Sequence, residues 1–395
     1  MKILVLAWEF PPRLVGGIAR HVAELYPEIV ALSYEIHLIT VEVDKAATYE
    51  VIEGIHIHRV AVAHGHDFFH WVANMNESMV AYGENLIAEI GYFDLIHAHD
   101  WLVGESAIAL KHSFKIPLIA TIHATEYGRN NGIYQERQKY IHEQEQTLVY
   151  NAWRVIVCSQ YMRYEIERVL RSPWDKIDVI YNGIRPGKKL PLKGREKIEF
   201  RRRFANDDEK IVYYVGRMAY EKGVSVLLNA APQVLWDLQG KVKFVIIGGG
   251  NTDQLKQQAG NLGIWNKCYF TGFMADHDLD KFQTIADCAV FPSLYEPFGI
   301  VALESFASRV PVVVSNTGGL PEVVEHNKTG VVTYANNPDS LAWGIVKVLR
   351  NPEYAKFLVK NAYRALDTHF SWYKLAQQTV DVYTRVVQER SKVIW

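Results

Sequence analysis

Short runs of β-branched and aliphatic residues alternate along the chain with longer amphipathic segments, the pattern of βαβ units built around parallel sheets. In the first half the runs predict strands at Ile3–Ala7, Glu35–Thr40, Asp94–His97, Pro117–Ile122, Arg154–Cys158 and Asp178–Ile180, with helices between them. Val51–Val60 alternates around Glu53-Gly54 and reads as a small hairpin rather than part of the parallel sheet. After Asn182-Gly183 the texture changes. Arg185–Arg203 carries nine Lys/Arg against two Glu, and Pro186, Gly187, Pro191 and Gly194 break any regular element. The alternation then restarts, with strands predicted at Ile211–Val215, Lys243–Ile247, Cys268–Thr271, Cys288–Phe291, Val310–Ser315 and Val331–Tyr334. Ser371–Val387 reads as a long amphipathic helix with no strand after it, expected to pack back across the domain junction. The pattern therefore predicts an α/β chain of two doubly wound domains, residues 1–184 and 204–370, joined by a basic linker at 185–203, with the segment 371–395 returning to the first domain.

Length agrees: 395 residues, at roughly 150 per domain, suggest two or three cores. With 49% hydrophobic residues, disorder is excluded as the main state. A balance of 43 Lys+Arg against 44 Asp+Glu gives a net charge of −1 and no global pull toward nucleic acid or anionic membrane, so any polyanion site must be local. Cys158, Cys268 and Cys288 are odd in number and widely spaced, which forms neither a disulfide framework nor a thiolate zinc site and favours a reducing cytoplasm. The apolar start Met1–Ala7 stops at Glu9 and Pro11-Pro12 without a cleavage site, as a buried strand does and a signal peptide does not. No run approaches the roughly 18 apolar residues of a spanning helix, which leaves peripheral contact as the only membrane role. The basic linker could make such contact, but a solvated linker is the preferred reading.

Chemistry is expected at the strand C-termini, because open α/β sheets bind ligands in the crevice outside those ends, and two such sheets face to face make a cleft. Gly16-Gly17 follows the first strand and opens a helix, where bare backbone and unpaired N–H groups suit an anion. It has neither dinucleotide-fingerprint nor P-loop spacing, so alone it fits an ordinary tight turn equally well. Gly216-Arg217 and Lys222-Gly223 place two permanent cations five residues apart at a strand end, a pair suited to a diphosphate. Gly248-Gly249-Gly250 makes another turn where the chain could pass beneath a nucleotide. In Tyr295–Glu304, Pro297 marks a helix start, putting Glu296 in the loop before it and Glu304 about two turns inside. Carboxylates accept bonds from sugar hydroxyls, and the helix start at Gly299-Ile300 donates N–H groups. Thr317-Gly318-Gly319 repeats the logic after the next strand.

Taken together these residues resemble the retaining glycosyltransferases of the GT-B fold, family 4 and the related glycogen and starch synthases. Glu296 and Glu304 with seven residues between them, Arg217 with Lys222, Thr317-Gly318-Gly319 and Gly16-Gly17 all stand where that family has them, and the resemblance covers nearly the whole chain. It implies two Rossmann-like domains facing a central cleft, the N-terminal one holding the acceptor and the C-terminal one the nucleotide sugar. Arg217 and Lys222 would hold the diphosphate, Glu304 the ribose and Glu296 the donor sugar hydroxyls, with Gly16-Gly17 closing over the phosphates. Gly216, Gly299, Ile300 and Thr317-Gly318-Gly319 would line the donor. His123, at a strand end in Ala120–Ala124, matches a family histidine near the anomeric carbon.

His97-Ala98-His99-Asp100-Trp101 puts alternate histidines on one face beside an acid, which raises the question of a metal. No spacing supplies a third ligand, and the stretch resembles the His-x-His-Asp-Trp of glycogen and starch synthases, where it faces the cleft without metal; His99, Asp100 and Trp101 are assigned to the acceptor side. Asp276-His277-Asp278-Leu279-Asp280 reads as the acidic first turn of a helix rather than a metal motif.

No carboxylate motif proposes itself as a nucleophile, Glu296 being the one conceivable exception, so the resemblance implies a same-face substitution without cofactor or metal. In it the leaving diphosphate takes the acceptor's proton. The resemblance leans toward transfer of glucose to the non-reducing end of an α-1,4-glucan. The donor is left as an ADP-, UDP- or GDP-sugar, because glycogen synthases usually carry Lys two residues before the paired glycines and this chain has Leu14 there, with Arg13 one place earlier. The alternatives are transfer to a lipid, small-sugar or exopolysaccharide acceptor, and a catalytically silent sugar-nucleotide-binding protein.

Overall fold

The computed structural model describes residues 1–185 and 192–394; Pro186, Gly187 and Pro191 of the basic linker, and Trp395, lie outside the described residues. Contacts divide the chain into two compact units, Met1–Gly183 with Ser371–Trp395, and Ile184–Phe370.

The first unit holds one eight-stranded sheet. Its strands are β1 (Lys2–Leu6), β2 (Glu35–Val41), β3 (Tyr49–Ile52), β4 (Ile55–Val60), β5 (Leu95–His99), β6 (Leu118–Ile122), β7 (Arg154–Val157) and β8 (Ile177–Val179), in the order β3-β4-β2-β1-β5-β6-β7-β8. All neighbours are parallel except β3 with β4. The hairpin read around Glu53-Gly54 forms, yet β4 also joins the parallel sheet, with Ile36 beside Ile55 and Val41 beside Val60. The correction has a clear cause. Ile55, Ile57, His58, Arg59 and Val60 are all buried, so both faces of β4 are covered and its alternation of residue types does not reflect a solvent face.

Helix Gly17–Ala31 presents Ile18, Val22, Leu25, Tyr26 and Ile29, spaced at three and four residues, to Ile3 and Val5 of β1. Helix Trp372–Arg390 adds Trp372, Leu375, Ala376, Val382, Tyr383 and Val386 to that same core. Polar ties fix its register: Arg385 meets Asp178 at 2.6 Å, and the Trp153 indole N–H donates to Glu389 at 2.7 Å.

The second unit holds an all-parallel sheet of β9 (Lys210–Val215), β10 (Val242–Ile247), β11 (Cys268–Gly272), β12 (Cys288–Phe291), β13 (Val312–Ser315) and β14 (Val331–Thr333), ordered β11-β10-β9-β12-β13-β14. The segment read as an irregular linker contains a helix, Gly194–Arg201, inside this unit. The Arg201 guanidinium explains the difference: it bonds Asp287 at 2.8 Å and the Glu209 carbonyl at 2.6 Å, tertiary contacts that outweigh poor local propensity.

Both strand orders contain a topological switch point. In the first sheet the chain leaves β1 toward β2 on one side and later enters β5 on the other; in the second, β9 and β12 stand in that relation. The loops at these strand ends are 7–16 and 100–103 in the first unit, and 216–223 and 292–299 in the second. Connections leaving in opposite directions open a crevice there, where α/β sheets take ligands.

Tyr383 is fully buried and its hydroxyl lies 2.7 Å from His97 Nδ1. Tyr383→Ala should destabilise the chain by about 3–5 kcal/mol, and Tyr383→Phe by about 1 kcal/mol. Denaturant titration measures both; a loss under about 1 kcal/mol for the alanine variant would show that the returning helix is not part of this core.

Candidate active site

At the first switch point, Gly16 caps helix Gly17–Ala31 in an extended conformation. Its amide is already engaged. Glu9, 1% exposed, accepts from the N–H of Val15 at 2.6 Å and of Gly16 at 2.9 Å. A carboxylate of the chain itself thus takes up the Gly16 amide, so the expectation of an unpaired N–H does not hold at Gly16. Burial raises the Glu9 pKa, the two amides pull it down, and Asp100 pushes it up again. Arg13 is held between the rings of Trp8 and Trp71, 5.2 and 5.4 Å from their centroids, while Leu14 is exposed.

Asp100 ends β5 at φ 60° and ψ 171°, a region almost restricted to glycine, at a strain of roughly 1–3 kcal/mol. Two bonds hold it there: its N–H donates to the Thr121 carbonyl at 2.9 Å, and its Oδ1 accepts the His123 N–H at 2.7 Å. The strained carboxylate thus fixes the backbone of the histidine at the end of β6. Burial raises the Asp100 pKa to about 6, against the lowering effect of Arg129 and the His123 amide. Trp101 is buried beside Phe68 and Tyr140, whose rings lie 6.5 and 6.4 Å away and are exposed.

Four histidines converge behind Asp100. His99 Nδ1 lies 3.1 Å from His123 Nε2, and its Nε2 lies 2.7 Å from the Tyr26 hydroxyl. His97 stacks on His99 at 4.5 Å but spends both nitrogens elsewhere, on Tyr26, Tyr383 and Thr121. His21, one turn into the first helix, packs edge-on to His123 with centroids 4.8 Å apart. Burial holds all four rings neutral: the pKa of His21 and of His123 falls to about 3, and those of His97 and His99 lie well below the usual value. Residues His99, Asp100, Trp101 and His123 are thus brought together as a group, with Glu9, His21, Tyr26 and Arg129 around them. Those four escaped the sequence reading. Glu9 was legible only as the end of an apolar run, and His21 sits on the buried face of an amphipathic helix, where a core role is the default.

At the second switch point, Lys222 Nζ meets Glu296 Oε2 at 2.9 Å, with side chains 20% and 12% exposed, and Ser293 Oγ donates to the same oxygen at 3.2 Å. Arg217 pairs with Glu221 at 3.0 Å and leaves most of its guanidinium in solvent. The Glu221 carbonyl accepts from Leu294 and Tyr295, so the two loops are stitched by backbone as well as by charge. Gly318, at φ +59°, packs so closely that a Cβ would sit 1.9 Å from the Glu296 carbonyl oxygen; at Gly223, φ +67°, a Cβ would sit 2.0 Å from that of Pro292. These glycines admit a neighbouring loop, where the sequence reading gave the space to a ligand. Gly319 donates its N–H to the Glu296 carbonyl at 2.9 Å, which removes another amide from the expected anion site. Met218 likewise donates to Gly249, tying the turn at Gly248–Gly250 to the loop that begins at Gly216.

Gly299 caps helix Ile300–Ala307, whose fifth residue is Glu304, so Glu304 stands about one turn inside rather than two. Its carboxylate is close enough to Tyr213 to raise that phenol's pKa, after burial. Thr317 is half-buried beside Gly318. Asp276 and Asp278 occupy the first turn of helix Asp276–Gln283, where acids favour the dipole. The second unit thus gathers Arg217, Lys222, Glu296 and Thr317–Gly319 on three loops at one sheet edge. The first gathers neutral imidazoles and two acids of raised pKa. Cations at loop ends suit phosphate, and carboxylates suit hydroxyls.

Against this geometry, the family description "Glycosyltransferase Family 4" matches residues 15–188 and "Glycosyl transferases group 1" matches residues 195–365. An uncharacterized glycosyltransferase of Methanocaldococcus jannaschii is 40% identical over 389 residues, covering 97% of this chain and 98% of its own. The glycogen synthase of Mycobacterium tuberculosis is 32% identical over 400 residues, covering 97% and 94%. Among solved structures, sucrose-phosphate synthase of Thermosynechococcus elongatus superposes with a TM-score of 0.82 at 23% identity over 98% of this chain and 99% of its own, a likeness of fold.

The neutral histidines set the acid response. A ring whose folded pKa is depressed contributes stability that is complete above the unfolded value near 6.5 and is lost as pH falls toward the folded one. His21 and His123 at about 3, His58 at about 4, and His97 and His99 below the usual value all act in this direction; Glu9, Asp100 and Glu145, whose pKa values are raised, act the other way. The histidines are the larger set, so Tm should fall by about 5 °C or more between pH 7 and pH 4.5, at roughly 2–4 °C per kcal/mol. A flat Tm across that interval in calorimetry would show that these rings carry protons in the folded chain.

Proposed function

The chain belongs to the family 4 and group 1 glycosyltransferases, with their GT-B fold of two parallel-sheet units, and we propose that it is a retaining hexosyltransferase extending an α-1,4-glucan at its non-reducing end. As a glycosyltransferase it takes sugar from a nucleotide sugar. Glucose is the proposed hexose, from an ADP-, UDP- or GDP-linked donor, without a required metal or cofactor, in the cytoplasm. The observation that carries the reading is the cluster at the second switch point, where Arg217, Lys222 and Glu296 stand on two stitched loops.

In this reading Arg217 and Lys222 take the diphosphate. Lys222 leaves the Glu296 carboxylate as phosphate arrives, and the freed carboxylate accepts donor hydroxyls. The ammonium thus keeps an anionic partner in both states. Glu304 takes the ribose, and the loop ends at Gly216, Gly299-Ile300 and Thr317–Gly319 line the donor. His123 and the Gly16-Gly17 turn act on the transferred sugar and its phosphates, and His99, Asp100 and Trp101 belong to the acceptor side. Two features support a carbohydrate acceptor: the 32% identity with a glycogen synthase, and the exposed rings of Phe68 and Tyr140 flanking Trp101, which can stack on sugar faces. The bond from donor sugar to diphosphate breaks as that from sugar to acceptor oxygen forms on the same face, and the leaving diphosphate takes the acceptor's proton. Catalysis is then mainly positional and electrostatic.

The test is incubation with ADP-, UDP- and GDP-glucose, with and without maltooligosaccharides, in chelator. Chain elongation with an α-linked product supports the proposal; a β-linked product removes the retaining assignment. Elongation of lipid or small-sugar acceptors alone moves the acceptor, and binding without turnover leaves a silent scaffold. Arg217→Ala should lower kcat by about 10²-fold or more, as removal of one preorganised donor does. Near-normal turnover of that variant removes Arg217 from the diphosphate.

A further inference from the structure

His21, His99 and His123 offer one nitrogen each, all three lying within 4.8 Å of one another, and they come from helix Gly17–Ala31 and the ends of β5 and β6. The decisive atom is His21 Nε2. His21 Nδ1 lies 2.8 Å from the Asn182 carbonyl oxygen, which accepts only, so the ring proton stays on Nδ1 and Nε2 presents a bare lone pair. Among the described residues that buried lone pair has no hydrogen-bond partner. A buried polar atom without a partner is costly, and the ring that carries it packs against two more imidazoles, with centroids 5.4 Å from His99 and 4.8 Å from His123.

We propose that these three histidines form a binding site for a divalent transition metal of the Zn²⁺ or Co²⁺ class. Three neutral imidazoles without carboxylate or thiolate favour such ions over Mg²⁺ or Ca²⁺. Metal–nitrogen bonds of about 2.0–2.1 Å place tetrahedral ligand atoms roughly 3.4 Å apart. The His99 Nδ1 to His123 Nε2 separation of 3.1 Å is already near that value. His21 has to close in on the other two from within the 4.8 Å limit, a small side-chain rotation. Coordination also requires the proton shared between His99 and His123 to move to the far nitrogen of its own ring. For His99 that nitrogen lies 2.7 Å from the Tyr26 hydroxyl, whose oxygen can accept it, while the Tyr26 proton turns to His97 Nδ1 at 3.0 Å, an acceptor it shares with the Tyr383 hydroxyl at 2.7 Å. The outer partners that orient metal-binding histidines are therefore in place on two of the three rings: Asn182 on His21 and Tyr26 on His99. His123 is part-exposed, which leaves a side open for a fourth ligand.

The ion is not needed for the transfer proposed above. It occupies the histidine assigned to the donor sugar, so it acts as an inhibitor. That consequence rests on the transferase reading, whereas binding does not.

The untagged full chain, stripped with chelator, is titrated with CoCl₂ and followed by its visible absorption, then back-titrated with ZnCl₂. The expected result is one equivalent of Co²⁺ with the intense bands of a four-coordinate site, displaced by Zn²⁺. His21→Ala should abolish the bands, and Asn182→Leu, which keeps all three ligands but frees the tautomer, should weaken affinity about 10–100-fold. His37→Ala, in the separate stack of His37, His56 and His58, should leave them unchanged. Circular dichroism checks that each variant is folded. Absence of the bands at saturating Co²⁺, or bands equal in the wild type and a folded His21→Ala, overturns the site. If metal binds while glucan elongation continues undiminished, the metal site stands and the role given to His123 fails.

Discussion

The contact that ties the second unit's loops together is the 2.9 Å bond between Lys222 and Glu296. Both side chains are mostly withdrawn from water, and a charge in that position is stable only with a partner. The bond closes one loop after β9 onto another after β12, across the switch point. It also depends on a third loop, because the Glu296 backbone is gripped by Gly318 and Gly319 at a distance that no side chain would permit. Charge and packing are therefore one constraint. A side chain at Gly318 would displace the carbonyl of Glu296 and with it the carboxylate that balances Lys222.

The first unit solves a different problem with different means. It gathers three buried imidazoles, the part-exposed His123 and two buried carboxylates around a single sheet edge, and low polarity pushes every one of them toward its neutral form. Hydrogen bonds then do what charge does in the second unit: Glu9 holds the turn at Val15 and Gly16, and Asp100 holds the backbone of His123. The strained conformation of Asp100 fits this account. A residue kept at φ 60° and ψ 171° persists because its surroundings over-determine it, and such outliers gather where geometry serves a purpose beyond stability.

How much of this was legible in the sequence follows from what each residue's neighbours contribute. Strands such as Ile3–Ala7 and Cys288–Phe291 were readable because they are buried on both faces, so the apolar run is its own signal. The placement of Arg217, Lys222 and Glu296 on loops after strands was readable because glycine and proline mark the strand ends beside them. The place of β4 in the parallel sheet was not, since pairing with β2 involves partners some twenty residues away and leaves no local mark. The helix at Gly194–Arg201 was hidden by breakers around it and depends on a distant Asp287. Glu9 and His21 were hidden for the reverse reason: each looks locally like part of an ordinary strand end or helix face, and only the fold brings them to Gly16 and His123.

A net charge of −1 conceals this difference between the units. The helix start after β1 already engages the carboxylate of Glu9 through the Gly16 amide, and burial and Asp100 raise the pKa of that carboxylate while the amides lower it. After β9 the resident groups are an ammonium paired with Glu296 and a guanidinium that is largely in solvent and paired with Glu221. Cations with carboxylate partners can pass to another anion without being left unpaired, whereas the buried imidazoles carry no charge to exchange. The two switch points, alike in topology, thus differ in the kind of group each fold has placed there: paired charges in the second unit, buried groups pushed toward their neutral forms in the first.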